Sequence, residues 1–287
     1  MIEKLMLGTV QFGLDYGVAN RDGQVPYSEV VRILSRASEK GIRFLDTAIS
    51  YGNSEIVIGR ALDELGLKDR FRIVTKIRPL PAGVADEEAG KLIRASLEES
   101  LNRLGMNRLY GCMFHREEEL RFLPLLKKSK EQGLIENYGI SIDSSAVAGQ
   151  EIQCDILQLP TNILDCRFDR IHTDAKVFAR SAFLQGLLLM DENDIPPVLS
   201  ELKGEIAAFE AIRKKLGLNR MEFCLRYNLS RKQLDKVLIG VNTLAHLEMN
   251  VEAAAAGPLP DEIMAEVAAL RHPLPEKLIR PMLWPRS

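Results

Sequence analysis

Apolar side chains along this chain fall into two alternating patterns. Short aliphatic runs occupy residues 4–10, 42–46, 71–76, 109–115, 138–141, 154–159, 176–181 and 236–240, and each predicts a strand. Between them the apolar positions move to helical spacing. In residues 26–40, Val30, Ile33, Leu34 and Ala37 share one face, Ser28 and Glu29 stand at the start, and Gly41 follows the end. Residues 54–65 repeat the design and stop at Gly66. Residues 86–104 carry Leu92, Ile93, Leu97, Leu101 and Leu104 before Gly105. Helices are predicted at 117–132, closed by Gly133, and at 201–216, 220–229 and 244–256. From Pro258 the chain is rich in proline and contains its only tryptophan, Trp284.

Strand and helix in regular succession require a parallel sheet. Eight such units over ~250 residues predict a closed (β/α)8 TIM barrel, an α/β fold in a single domain spanning 1–287, with an extended tail from about 258. The rival is a doubly wound sheet. Neither Gly-x-Gly-x-x-Gly nor Gly-x-x-x-x-Gly-Lys-[Ser/Thr] occurs, which weakens its dinucleotide and P-loop versions.

Composition narrows the function classes. The net charge of −2 gives no basic excess for nucleic acid or an anionic membrane. No apolar run approaches the ~20 residues of a membrane span. Residues 1–4 lack a signal pattern and lead straight into a strand, so a cytoplasmic location is expected. Cys112, Cys154, Cys166 and Cys224 are scattered, with no Cys-x-x-Cys and no zinc-ligand spacing, and are expected as reduced thiols with no metal site.

Three predicted strands end in ionisable groups, Asp46, Lys76 and His115, and Tyr51 follows the first of them. In a parallel barrel the C-terminal strand ends share one face. Taken singly each residue has a bland reading: a helix cap, a solvated strand end, half-buried packing, a surface imidazole. Taken together they make a coherent acid–base set. A phenol is a weak acid at neutral pH; a neighbouring ammonium is expected to lower its pKa, a carboxylate holds the ammonium in place, and a histidine can orient a substrate oxygen. Such a set suits carbonyl reduction, with the hydride supplied from elsewhere.

These residues resemble the aldo-keto reductase family: Asp46-Thr47-Ala48-x-x-Tyr51-Gly52, Thr75-Lys76 and His115, together with the opening Leu7-Gly8-Thr9. The resemblance implies a barrel that binds NADPH, with NADH as the alternative, in an extended pose without a Rossmann domain. It implies Tyr51 as general acid, Lys76 and Asp46 as its tuning partners, and His115 as the carbonyl-orienting group. Ser141 and Gln158 correspond to the residues that hold the nicotinamide carboxamide, and Asn162 fits the pattern, whereas Ile142 stands where asparagine is usual. Arg180 replaces the aromatic that stacks on the nicotinamide; a guanidinium plane can stack there too. Gly240, Asn242, His246 and Asn250 fall in the family's adenosine-phosphate segment. There a glycine admits phosphate and a helix start adds positive dipole, yet Asn242 and Thr243 replace the basic residue that meets the 2′-phosphate.

The reading is an NAD(P)H-dependent oxidoreductase acting on a small carbonyl substrate, an aldehyde or ketone; the polar Gly13–Asn20 segment and the resemblance of Gln11-Phe12-Gly13-x-x-Tyr16-Gly17 to family members linked to sugar metabolism point to a keto-sugar. The alternative is a catalytically weak, cofactor-sensing regulatory module on the same fold. A metal-dependent barrel hydrolase needs clustered ligands that four scattered histidines do not supply. Oligomeric state is not legible.

Overall fold

The computed structural model describes residues 1–18, 20 and 23–284. Ala19 of the polar loop and the last three residues of the tail lie outside the described residues. Eight parallel strands close into a barrel in sequence order: β1 Leu5–Gly8, β2 Phe44–Asp46, β3 Arg72–Lys76, β4 Leu109–Phe114, β5 Ile135–Ser141, β6 Ile156–Pro160, β7 Lys176–Arg180 and β8 Lys236–Gly240. Pairing of β1 with β8, Leu5 opposite Val237 through Gly8 opposite Gly240, completes the ring.

Two cores hold it. One lies inside the barrel, where Met6, Phe44, Val74, Met113, Ile156 and Phe178 meet. The other lies between the strands and the outer helices, among them α2 Tyr27–Glu39, α3 Ser54–Glu64, α4 Asp86–Leu104, α5 Leu123–Glu131 and α8 Leu244–Ala255. The short helix Val10–Gly13 (α1) precedes them. Side chains two apart on a strand share a face. Each interior residue is therefore followed, two positions on, by another inward position one layer higher. From Phe44, Val74, Met113, Ile156, Phe178 and Leu238 this step reaches Asp46, Lys76, His115, Gln158, Arg180 and Gly240. The site is the layer above the interior plug.

The structure departs from the predicted elements in four places. β1 stops at Gly8 because Thr9 turns inward, its amide and hydroxyl both donating to the Asp46 carbonyl, at 3.0 and 2.9 Å. The helix expected at 117–132 splits into a 3-10 segment, Glu117–Phe122, and α5, which has Pro124 in its first turn; a proline ring would clash with the carbonyl of a preceding turn. The crossovers from β5 to β6 and from β6 to β7 contain no α-helix among the described residues. Finally, the tail after Pro258 includes α9 Asp261–Leu270, whose Ile263 and Val267 join a third buried cluster with Phe209 and Ile212 of α6 Leu202–Lys215 and Phe223 and Tyr227 of α7 Arg220–Ser230. A four-residue helix, α10 Glu276–Ile279, ends the series. No helix among the described residues is long and apolar enough to cross a membrane.

Candidate active site

The register brings Asp46, Lys76 and Gln158 together, although the first and last are 112 residues apart. Lys76 Nζ lies 2.7 Å from Asp46 Oδ2 and 3.0 Å from the Thr47 carbonyl. Gln158 Nε2 donates to the other carboxylate oxygen at 2.8 Å. All three side chains are buried. Tyr51 stands over this pair, its ring centroid 5.0 Å from Lys76 Nζ. His115 meets the same ring edge-on, centroids 5.8 Å apart, with Nδ1 3.4 Å from Ser50 Oγ.

Tyr51 reaches its place through a close backbone contact. A Cβ on Gly13 would sit 1.9 Å from the Tyr51 carbonyl, and one on Gly52 would sit 2.3 Å from the Gly13 carbonyl. Gly52 also has φ +57°, where L side chains are strained. Two glycines thus press the loop after β1 onto the turn that carries the phenol.

Electrostatics fix the resting proton inventory. Burial raises the Tyr51 pKa; Lys76 pulls it down, but Asp46 pushes it up again, and the net direction is upward. The lowering expected from the ammonium alone is thus outweighed by burial. For Lys76, burial works to lower the pKa, while Asp46 and Tyr51 raise it and prevail. His115 is taken down to about 3 by burial and by the nearby cations Lys76, Arg180 and Arg116. A neutral phenol, a neutral imidazole and a charged amine result.

Tyr51 and Asp46 open onto a cavity of about 280 Å³ that is also lined by Gln11, Tyr16, Asn20, Gln158, Arg180 and Asn242. It adjoins a second lobe of about 590 Å³ along Phe183, Leu189, Gly240 and His246, which line both. Asn250 lines the second lobe. Ser141 is buried opposite Gln158 in the sheet and is not part of either lining. Lys76 and His115 are not part of the lining either; each touches the Tyr51 ring that is. Arg180 faces the cavity, but its guanidinium is engaged: Nη2 donates to Asp143 Oδ1 at 2.6 Å and to the Ile142 carbonyl at 3.1 Å. Asp143 is held in turn by Arg280 from the tail, at 2.6 Å. Asn162 is spent on backbone, accepting from Leu164 and Asp165 and donating to the carbonyl of Ser181, a non-glycine residue at φ +63°.

Sequence reasoning missed several residues here. Gln11 lies across Gly240, where a Cβ would come within 2.6 Å of Nε2, and its Oε1 is buried without a partner among the described residues. Tyr16 accepts from Gln185 Nε2 at 2.9 Å, joining the loop after β1 to the loop after β7 over the cavity. Glu55 receives Thr75 Oγ1 at 2.6 Å just behind the site, and burial raises its pKa. Only Gln11 and Tyr16 carried a signal, as polar residues in a loop beyond the first strand.

A closed parallel barrel with a phenol, an ammonium and a carboxylate stacked at its C-terminal end describes an oxidoreductase class, and the comparisons give it a family. The model of the Aldo/keto reductase family matches residues 4–272, and the chain belongs to that family. It is similar to the L-galactose dehydrogenase of Arabidopsis thaliana, 24% identical over 92% of this chain and 89% of that protein. It is 26% identical to a D-threo-aldose 1-dehydrogenase of a Pseudomonas species, over 90% of this chain and 93% of that one. In fold it matches an aldo-keto reductase from Bacillus halodurans solved in its holo form. The TM-score is 0.73 at 20% identity, over 93% and 91% of the two chains.

Proposed function

We propose that this chain interconverts a carbonyl and an alcohol with a nicotinamide dinucleotide, Tyr51 acting as the general acid in the direction of reduction. The observation that carries the reading is the buried Lys76–Asp46 pair beneath the Tyr51 ring. A phenol that stays protonated in the resting site is a competent donor. The ammonium below it stabilises the phenolate left when the proton moves to the substrate oxygen. Asp46 keeps that ammonium charged and fixed, at the cost of raising the Tyr51 pKa. His115, neutral and edge-on to the ring, has an N–H to offer the same substrate oxygen.

Two features support dinucleotide binding. A Cβ on Gly240 would displace the end of the Gln11 side chain, 2.6 Å away, and the buried acceptors Gln11 Oε1 and Asn250 Oδ1 both lack a donor among the described residues. Buried acceptors are ordinarily paired. Asn250 Nδ2 already donates to the His246 carbonyl at 2.7 Å, so its Oδ1 is the atom left for an amino group such as that of adenine. Gln158, Arg180, Gly240, Asn242, His246 and Asn250 would line the bound cofactor, with Ser141 behind Gln158. When bound, the cofactor supplies or accepts the hydride. NADPH is the form the family resemblance implies.

The substrate we infer is a small polyol or keto-sugar. Among apolar neighbours such as Phe183, Leu189 and Leu238, the cavity beside Tyr51 carries the polar side chains Gln11, Tyr16, Asn20, Arg180 and Gln185, and two relatives are sugar dehydrogenases by name. The test is a panel of aldoses, ketoses and apolar carbonyl compounds, followed by nicotinamide absorbance in both directions. Turnover confined to aromatic or steroid carbonyls would refute the sugar reading, and none with any carbonyl or alcohol would refute the activity.

A further inference from the structure

The segment that follows β8 lies where the two lobes of the cavity join. Asn242 lines the first lobe, His246 lines both, and Asn250 lines the second. A dinucleotide with its reacting end beside Tyr51 and its adenine beside Asn250 would be held at its adenosine ribose by residues 242–246, at the start of α8. A helix start with free amides is an anion site. Here the chain has filled it with its own acid.

Glu29, from the first turn of α2 and 215 residues away in sequence, accepts the Leu244 amide on Oε1 at 2.6 Å. The His246 amide is taken by Thr243 Oγ1 at 3.2 Å. Asn242 donates to Asn20 Oδ1 at 2.7 Å. No cation among the described residues stands ready to offset a second anion there. Arg32 pairs with Glu29 itself at 2.7 Å, while Arg36 and Lys40 are committed to Glu248. The arginines in the cavity lining are also paired: Arg180 with Asp143, Arg213 with Glu210, and Arg220 with Asp191 and Glu210.

We propose that this site selects NAD(H) over NADP(H), and that Glu29 is the residue that excludes the 2′-phosphate. The proposal rests on the dinucleotide reading above and departs from the NADPH expected by resemblance. A 2′-phosphate would bring a doubly charged group to a carboxylate already seated on the helix amides, with no unpaired lysine or arginine among the described residues to receive it. A ribose 2′-hydroxyl is instead a donor, and a carboxylate that accepts one amide and one guanidinium keeps lone pairs for it. An acid on the ribose hydroxyl for NAD and an arginine for NADP is the general solution to this discrimination.

The experiment measures dissociation constants for NADH and NADPH by isothermal titration calorimetry on the full chain, as wild type, Glu29→Gln and Asn242→Arg, with thermal melts to establish folding. Wild type should bind NADH at least about tenfold more tightly than NADPH. Glu29→Gln keeps the acceptor and removes the charge, so the ratio should narrow several-fold, mainly through tighter NADPH binding. Asn242→Arg, which leaves the Glu29 contact in place, should narrow it independently. NADPH binding to wild type as tightly as NADH would overturn the proposal. An unchanged ratio in a folded Glu29→Gln would overturn the role of Glu29. Folded wild type that binds neither dinucleotide would overturn the underlying reading instead.

Discussion

Removing one member of the buried pair beneath Tyr51 isolates the other, and the cost can be bounded from the geometry. Asp46 Oδ2 and Lys76 Nζ are 2.7 Å apart, with side chains 4% and 1% exposed. At that distance and an effective dielectric of ~20 their attraction is about 6 kcal/mol, and desolvation of the two ions offsets much of it. Asp46→Asn leaves an ammonium whose remaining partners are the Thr47 carbonyl and the Tyr51 hydroxyl, neither of them charged. Lys76→Met leaves a carboxylate whose one side-chain partner among the described residues is the Gln158 amide. Each single change should cost about 3–5 kcal/mol, most of it the penalty of an unpaired buried charge. The double variant buries neither charge, so it should be more stable than the sum of the single costs allows, by about 2–3 kcal/mol. Urea denaturation of the four proteins at pH 7, followed by circular dichroism, reads the coupling. Additivity within ~0.5 kcal/mol would refute the claim that the two charges depend on each other.

Three further outcomes follow from the same site. Gly13→Ala should reduce kcat/KM by more than about tenfold, since its methyl needs the space of the Tyr51 carbonyl; wild-type kinetics in a folded variant would contradict the contact. His115 has its folded pKa depressed to about 3. Its neutral burial is therefore without penalty above the unfolded value near 6.5, and stability is lost as pH falls from there toward 3, by up to about 1.4 kcal/mol per unit. His115→Asn should flatten that acid limb in a pH series of denaturation curves, and an unchanged slope would argue against it. Glu55 has the opposite sign. Its raised pKa means the folded state holds a proton that the unfolded state releases, so stability falls as pH rises from 4.5 through the folded value. Glu55→Gln should raise the Tm at pH 7 by about 2 °C and lose that advantage near pH 4.5; an equal shift at both pH values would show that charge is not the cause.

The barrel was legible because its punctuation is local. Apolar runs ending in Asp46, Lys76 and His115, and helices closed by Gly41, Gly66, Gly105 and Gly133, are readable within a few residues. The inward alternation that stacks the site above Phe44 and Val74 follows from the period of a strand. What could not be read depends on contacts between distant segments. Glu29 on the Leu244 amide, Gln11 across Gly240, Tyr16 on Gln185 and Gly13 under Tyr51 each join loops that only closure of the ring makes neighbours. The direction of the Tyr51 shift was misjudged for the same reason: the sequence displays the lysine but not the burial that outweighs it. The tail helix Asp261–Leu270 was hidden by the prolines on either side of it, although its Ile263 and Val267 sit at helical spacing.

The central claim is that Tyr51 delivers the proton while the pair below it only sets the stage. Tyr51→Phe removes one oxygen atom and leaves the ring, the Lys76–Asp46 pair and the cavity walls in place. Steady-state kcat/KM for the best substrate of the sugar panel, measured alongside calorimetric cofactor binding, separates chemistry from assembly. The account predicts a loss of at least about 10²-fold in turnover with the cofactor dissociation constant unchanged within about twofold. Turnover at the wild-type rate in the phenylalanine variant would contradict it.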